Sequence, residues 1–127
     1  MKLNKTILLI SIIFFIFGCA YKPMPYQKAV GWIHGGHGGY LDKELKPGLH
    51  LIEVQNISDQ SSYYEEIIAN FRRHWHRRAL ELCPKGYIGE PEIIQPYQAR
   101  MDSFRCNLNL CNWDRMLSGI IRCNDKT

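Results

Sequence analysis

The chain has 127 residues, 46% of them hydrophobic, with five cysteines and a formal charge of +4. That length leaves room for one small domain and excludes a second core. Setting aside Lys2 and Lys5 with an N-terminal export signal lowers the charge to +2, a weakly basic balance.

Lys2 and Lys5 precede an uncharged, largely apolar run from Thr6 to Phe17, which ends in Ile16-Phe17-Gly18-Cys19-Ala20. A positive start, a short apolar stretch and a small residue at the cleavage point read as a signal peptide over 1–18. The run is too short for the ~20 residues of a spanning helix. Ile-Phe-Gly-Cys resembles the bacterial lipobox, whose cysteine becomes the acylated first residue; Phe17 is bulkier than that motif usually has. Acyl burial contributes ~0.8 kcal/mol per methylene, so a multiply acylated Cys19 would anchor the chain stably without a transmembrane helix. Ala20 stands where an aspartate would resemble an inner-membrane retention signal. The expected location is therefore the outer membrane, facing the periplasm.

Cleavage before Cys19 leaves Cys83, Cys106, Cys111 and Cys123. An even number in an exported chain of this size implies two disulfides, with three possible connectivities. Zinc would need closely paired Cys or Cys/His spacings, which these positions lack.

Residues 19–38 carry Pro23, Pro25 and four glycines with little continuous apolar pattern, and are expected to form a flexible tether after the lipidated cysteine. Within it His34 and His37 have an i, i+3 spacing that could hold a metal with His50, His74 or His76, but no acid or cysteine adjoins the pair. No metal and no cofactor is therefore expected.

The folded domain is expected over 39–127. A strand over Tyr40–Leu45, turn chemistry at Lys46-Pro47-Gly48 and a strand over Leu49–Val54 predict a hairpin. After a polar loop, Ser62-x-x-Glu65 has the form of a capping box, and a helix should run to about Cys83. At 100° per residue Tyr64, Ile67, Ile68, Phe71, Trp75, Ala79 and Leu82 form one apolar stripe. Pro84 and Gly86 then end the helix. Tyr87–Ile94 reads as a strand interrupted by Pro91, hence at an edge. Ser103–Leu110 alternates with period two and predicts a half-buried antiparallel strand; Met116–Cys123 predicts the last. The order β-β-α-β-β-β makes an α+β fold, an antiparallel sheet with one long helix on one face, stapled by disulfides.

Gly39-Tyr40-Leu41-Asp42-Lys43-Glu44-Leu45, an apolar strand ending at Asn56, Arg78-Ala79-Leu80-Glu81-Leu82-Cys83 and Gly86-Tyr87 together resemble a family of small Gram-negative envelope lipoproteins. Its pattern runs G-Y-x-D-x-x-L, a strand closing on G-N, R-A-x-E-L and G-Y; Gln55 stands where the pattern has the glycine. The match covers about Gly39 to Ile88. It implies a lipid-anchored envelope domain and brings no catalytic function with it.

The helix carries "FRRHWHRR", Phe71 to Arg78. Arg72, Arg73, His76 and Arg77 point away from the apolar stripe and predict a basic surface, which could meet anionic lipid, lipopolysaccharide or peptidoglycan. His74 and His76 would add charge below pH ~6.5. Nucleic acid is not expected as a partner, because the compartment excludes most of it. Arg78 falls within the stripe, where an unpaired cation is costly, and Asp42 on the first strand is the expected counter-charge.

There is no G-x-S-x-G elbow and no H-E-x-x-H, and the carboxylate pairs Glu65-Glu66 and Glu90-x-Glu92 lie at a helix start and an edge strand. The expectation is a non-enzymatic, lipid-anchored envelope protein that binds or organises a cell-surface component. The alternatives are a small binding module or inhibitor of a protein partner, presenting aromatics such as Trp113 and Tyr97, and a metal-handling protein.

Overall fold

The computed structural model describes residues 21–30, 36–56, 63–105 and 115–124. Strands β1 (Gly39–Lys46) and β2 (Leu49–Gln55) form the hairpin expected around Pro47-Gly48, in a register that sets Tyr40 opposite Val54 and Asp42 opposite Ile52. Helix α1 (Tyr64–Leu82) follows. Two short strands, β3 (Tyr87–Ile88) and β4 (Glu92–Ile94), two 3-10 turns (Pro96–Gln98 and Asp102–Phe104) and β5 (Met116–Cys123) complete the described order.

All pairings between these five strands are antiparallel. β5 lies at the centre, bonded to β2 along its length from Leu49–Arg122 to Gln55–Met116, and to β3 and β4 on its other side. The fold is thus α+β, with one helix laid on a five-stranded sheet. The residues between β3 and β4 include Pro91, which has no amide to give to a ladder, so the strand expected over Tyr87–Ile94 divides there.

The apolar stripe explains where the helix lies. Ile68, Phe71, Trp75 and Ala79 are buried against Ile52 and Val54 of β2 and Leu117 and Ile121 of β5, with Tyr64, Ile67 and Leu82 at the margin. Trp75 is fully buried, and its indole Nε1 donates to the Ile52 carbonyl at 3.0 Å. The ring comes so close to β5 that a Cβ at Gly119 would lie 2.7 Å from Trp75 Cζ2, which is why glycine stands in the middle of a buried strand.

The opposite face has a smaller core of Ala29, Ala99, Phe104 and Met116, with Leu41 and Ile94 beside it. Among these residues lies Glu53, fully buried because alternation along β2 turns it away from the helix. Its carboxylate accepts from the Arg100 amide (2.9 Å), the Met101 amide (3.2 Å) and Ser118 Oγ (2.9 Å), so the irregular chain over 96–105 is pinned to the sheet.

Three expectations are corrected. Residues 21–30 of the expected tether are not a free approach: Met24 and Ala29 are buried, Tyr40 N donates to Gln27 O (3.0 Å), and Ala29 N donates to Tyr40 O (2.9 Å). Glycine permits this contact, since a Cβ on Gly39 would sit 2.2 Å from Gln27 O. The start of the strand expected over Ser103–Leu110 is a 3-10 turn, with Phe104 N donating to Met101 O and the Phe104 side chain buried in the core of the second face. Residues 106–110 lie outside the described residues. The helix N-cap is Tyr63, so Ser62, itself outside the described residues, stands one position too early for the capping box.

Cys83, just after the helix, and Cys123, at the end of β5, form a disulfide. Cys106 and Cys111 lie outside the described residues.

Candidate functional site

The basic stretch of α1 divides into three environments. Arg72 and Arg73 are exposed. His74 is buried edge-on against the Tyr26 ring at 5.4 Å, with Asn70 Nδ2 at 3.4 Å from its Nε2. Burial first, then the charges of Arg73 and Arg77, push its pKa down, so it is a neutral core histidine and not a source of acid-induced surface charge. His76 bonds through Nδ1 to the Tyr87 hydroxyl and lies 3.7 Å from Glu90. Arg77 stacks over the Tyr26 ring at 3.9 Å and donates to Glu81 at 3.3 Å. Two members of the expected basic surface, His76 and Arg77, are thus engaged within the fold.

The next residue ties three elements together. Arg78 Nε donates to Asp42 Oδ1 at 2.8 Å and its Nη1 to Glu81 Oε2 at 3.0 Å, while its guanidinium lies over the Tyr40 ring. Tyr26 stacks on Tyr40, with centroids 4.8 Å apart, and donates its hydroxyl to Glu81 at 2.5 Å. Burial works against the charge on Arg78, but the bonds to Asp42 and Glu81 outweigh it and hold the guanidinium more firmly protonated. The Tyr26 hydroxyl bond, then those from Arg78 and Arg77, hold Glu81 below the usual carboxylate range. Burial and the Glu81 bond push Tyr26 up, so it stays a donor. Every charge here has a partner, which makes the cluster a clamp between the N-terminal segment, β1 and α1.

A second assembly lies where the helix, the hairpin turn and the end of β5 meet. Cys123 N donates to Gly48 O (2.8 Å), and Asn124 N to Gly86 O (2.9 Å), which draws these turns together around a cavity of about 500 Å³. Glu44, His50, Lys85, Asn124 and the Cys83–Cys123 disulfide line it. Glu44 and His50 are paired across the hairpin. The His50 Nδ1 is buried and has no hydrogen-bond partner among the described residues. One His50 ring nitrogen and the two sulfurs lie within 4.8 Å of one another.

Sequence reasoning named His50 only as a remote helper for His34 and His37. His34 lies outside the described residues, and His37 is exposed, its Nδ1 3.2 Å from the carbonyl of Gly38. His50, His74 and His76 are not gathered around it; among the described residues the group of three metal-type donors is His50, Cys83 and Cys123. A signal existed, since the alternation of β2 places His50 on the same face as Ile52 and Val54, under the helix that ends just before Cys83. Tyr26 carried no such signal. Cys19 and Trp113 lie outside the described residues, whereas Tyr97 is about half exposed. Glu65, Glu66, Glu90 and Glu92 are exposed and form no carboxylate pair in a cleft, with Glu92 bonded to Arg100 at 2.9 Å.

No helix among the described residues is long and apolar enough to cross a membrane. Comparison with protein-family models, with curated proteins and with solved structures finds no match.

Proposed function

We propose that this chain is a non-enzymatic envelope lipoprotein, anchored through acyl chains on Cys19 in the outer membrane, whose domain binds or organises an anionic cell-surface component. The observation that supports this reading most is the packing of residues 21–30. Tyr21 lies against Tyr63 at the start of α1, with ring centroids 5.6 Å apart, and Met24 is buried in the main core. Cys19 is two residues before Tyr21, a contour of only ~7 Å. An acylated Cys19 would therefore hold the start of α1 close to the headgroups, without a long tether.

That placement gives the remaining basic residues a use. Lys22 and Arg73 are exposed, and the charge of Arg73 acts on the Tyr21 hydroxyl, so both stand near the anchor. Each such cation near an anionic surface contributes about 1 kcal/mol. Resemblance to the small Gram-negative envelope lipoproteins points the same way through Asp42 and Arg78, two motif residues that meet in the clamp. Labelling with a fatty-acid analogue tests the anchor: wild type should take label and Cys19→Ser should not. No label on wild type, or equal label on both, ends the proposal.

A second reading, a binding module for a protein partner, draws on the β3–β4 edge. Ile88 is 71% exposed there, with Ile93, Ile120 and Tyr97 also open to solvent. Pull-down from envelope fractions separates the two: a discrete protein lost on Ile88→Asp favours the module, and co-sedimentation with anionic vesicles reduced by Arg73→Glu favours the lipid-facing role.

A further inference from the structure

The clamp around Arg78 is saturated, and the buried carboxylate of Glu53 has three donors; neither offers a free valence. The cavity at the end of the helix differs. It holds a histidine whose buried Nδ1 has no partner among the described residues, beside two sulfurs in one small space. Unpartnered buried nitrogen is unfavourable, and one ring nitrogen of this histidine already lies within 4.8 Å of both sulfurs.

We propose that reduction of the Cys83–Cys123 disulfide converts this cavity into a binding site for a thiophilic d10 cation, of which Zn(II) is the representative. A thiolate of a dithiol reductant attacks one sulfur and forms a mixed disulfide, and its second thiol displaces the other cysteine. The reductant becomes a cyclic disulfide, and Cys83 and Cys123 gain two electrons and two protons as thiols. Zn(II) then replaces those two protons, forming two Zn–S bonds, while neutral His50 supplies a nitrogen lone pair. Both sulfurs already lie within 4.8 Å of the His50 nitrogen. Around zinc they would separate to about 3.8 Å, the tetrahedral edge for Zn–S bonds of ~2.3 Å.

The surroundings suit the change. Cys83 lies at the turn after α1 and Cys123 in the last paired position of β5, so both can shift without breaking the central ladder. Water from the open cavity takes the fourth position, and Glu44 on its wall adds negative charge. The disulfide closes the site by using both sulfurs; reduction opens it. This site uses neither His34 nor His37 and does not depend on the lipid anchor.

The test uses the full chain carrying Cys19→Ser, Cys106→Ser and Cys111→Ser, so that Cys83 and Cys123 are its only thiols, reduced anaerobically and freed of reductant. Co(II) reports the ligands by its tetrahedral visible bands and its thiolate charge-transfer band, and Zn(II) competition gives the affinity. One equivalent should bind after reduction, with no thiolate band in the oxidised protein, and His50→Ala should weaken Zn(II) binding by about tenfold or more. Circular dichroism is followed throughout. A reduced chain that loses structure and regains it with Zn(II) supports the site equally, because binding is then linked to folding. Failure to bind when reduced, an affinity unchanged by His50→Ala, or a band that survives Cys83→Ser with Cys123→Ser overturns it.

Discussion

The two faces of the sheet are covered in different ways. On one, nineteen consecutive residues of α1 lay a regular stripe over β2 and β5. On the other, Ala29 and two 3-10 turns cover β2 and β5 with scattered side chains, the chain at Arg100 and Met101 being held by the carboxylate of Glu53. The helical face gains its order from a repeat that continues for five turns. The loop face gains it from a few specific bonds, so its stability is concentrated in fewer residues.

The largest effect should come from the helical face. Trp75→Ala removes the largest fully buried side chain and its bond to the Ile52 carbonyl, and should destabilise by about 4 kcal/mol in urea unfolding. Glu53→Ala should follow at about 3 kcal/mol, because it leaves two amides and a hydroxyl without their acceptor in a buried site. The two variants should differ in where the damage appears. In Glu53→Ala, hydrogen exchange should accelerate at Arg100 and Met101 while α1 keeps its protection. Equal acceleration in α1 would show that the faces unfold as one unit, and the contrast would fail.

The same contrast explains what could be read without a structure. Hairpin and helix were legible from local signals, the turn chemistry of Pro47-Gly48 between two short strands and the 3.6-residue stripe from Tyr64 to Leu82, and the last strand from the short apolar run of Met116–Cys123. The pairing of Arg78 with Asp42 was legible for a related reason, since a cation inside an apolar stripe demands a partner and the first strand offers an acid. The loop face has no period. Phe104 and Ala99 reach it from 3-10 turns, and alternation around Phe104 suggested a strand although both edges of β5 are already taken. Glycines 38 and 39 suggested freedom, yet here they allow close contact with Met24 and Gln27. Among the described residues the order β-β-α-β-β-β arises by a different route, with β3 and β4 dividing one expected strand. The cavity around His50 was least legible, because it joins a hairpin, a helix end and the last strand.

The clamp lies between these extremes, on the rim of the helical face. Arg78→Leu leaves Asp42 without its bond and frees Tyr26 from part of its setting, and should destabilise by about 1–2 kcal/mol, limited because both side chains keep some solvent access. A double-mutant cycle with Asp42→Asn should return a coupling of about 1 kcal/mol. Coupling near zero would mean that Tyr40 and Glu81 carry the arginine. Under the same variant the N-terminal segment should loosen, seen as faster exchange at Ala29 and Tyr40, whose amides bond across it.

The smallest effect is a pH dependence that distinguishes the helical face from its rim. Folding lowers the pKa of His74 from its ordinary value near 6.5, through burial and then through Arg73 and Arg77. The unfolded chain therefore binds the proton first as pH falls, and stability must rise with pH wherever the unfolded state holds more protons. This contribution is complete above pH ~6.5, declines as pH drops below it, and levels off once the folded histidine also titrates. Glu81 behaves similarly but later: Tyr26, Arg78 and Arg77 hold its pKa below 4.5, so its contribution is present above that value and is lost as pH falls through the folded one. In urea unfolding, His74→Leu should flatten the profile relative to wild type as pH falls below about 6.5, and Glu81→Gln only below about pH 4.5. Parallel profiles for wild type and His74→Leu in the upper window would mean that the histidine takes its proton as easily folded as unfolded. The Tyr26 segment would then not be sealing the helical face from water.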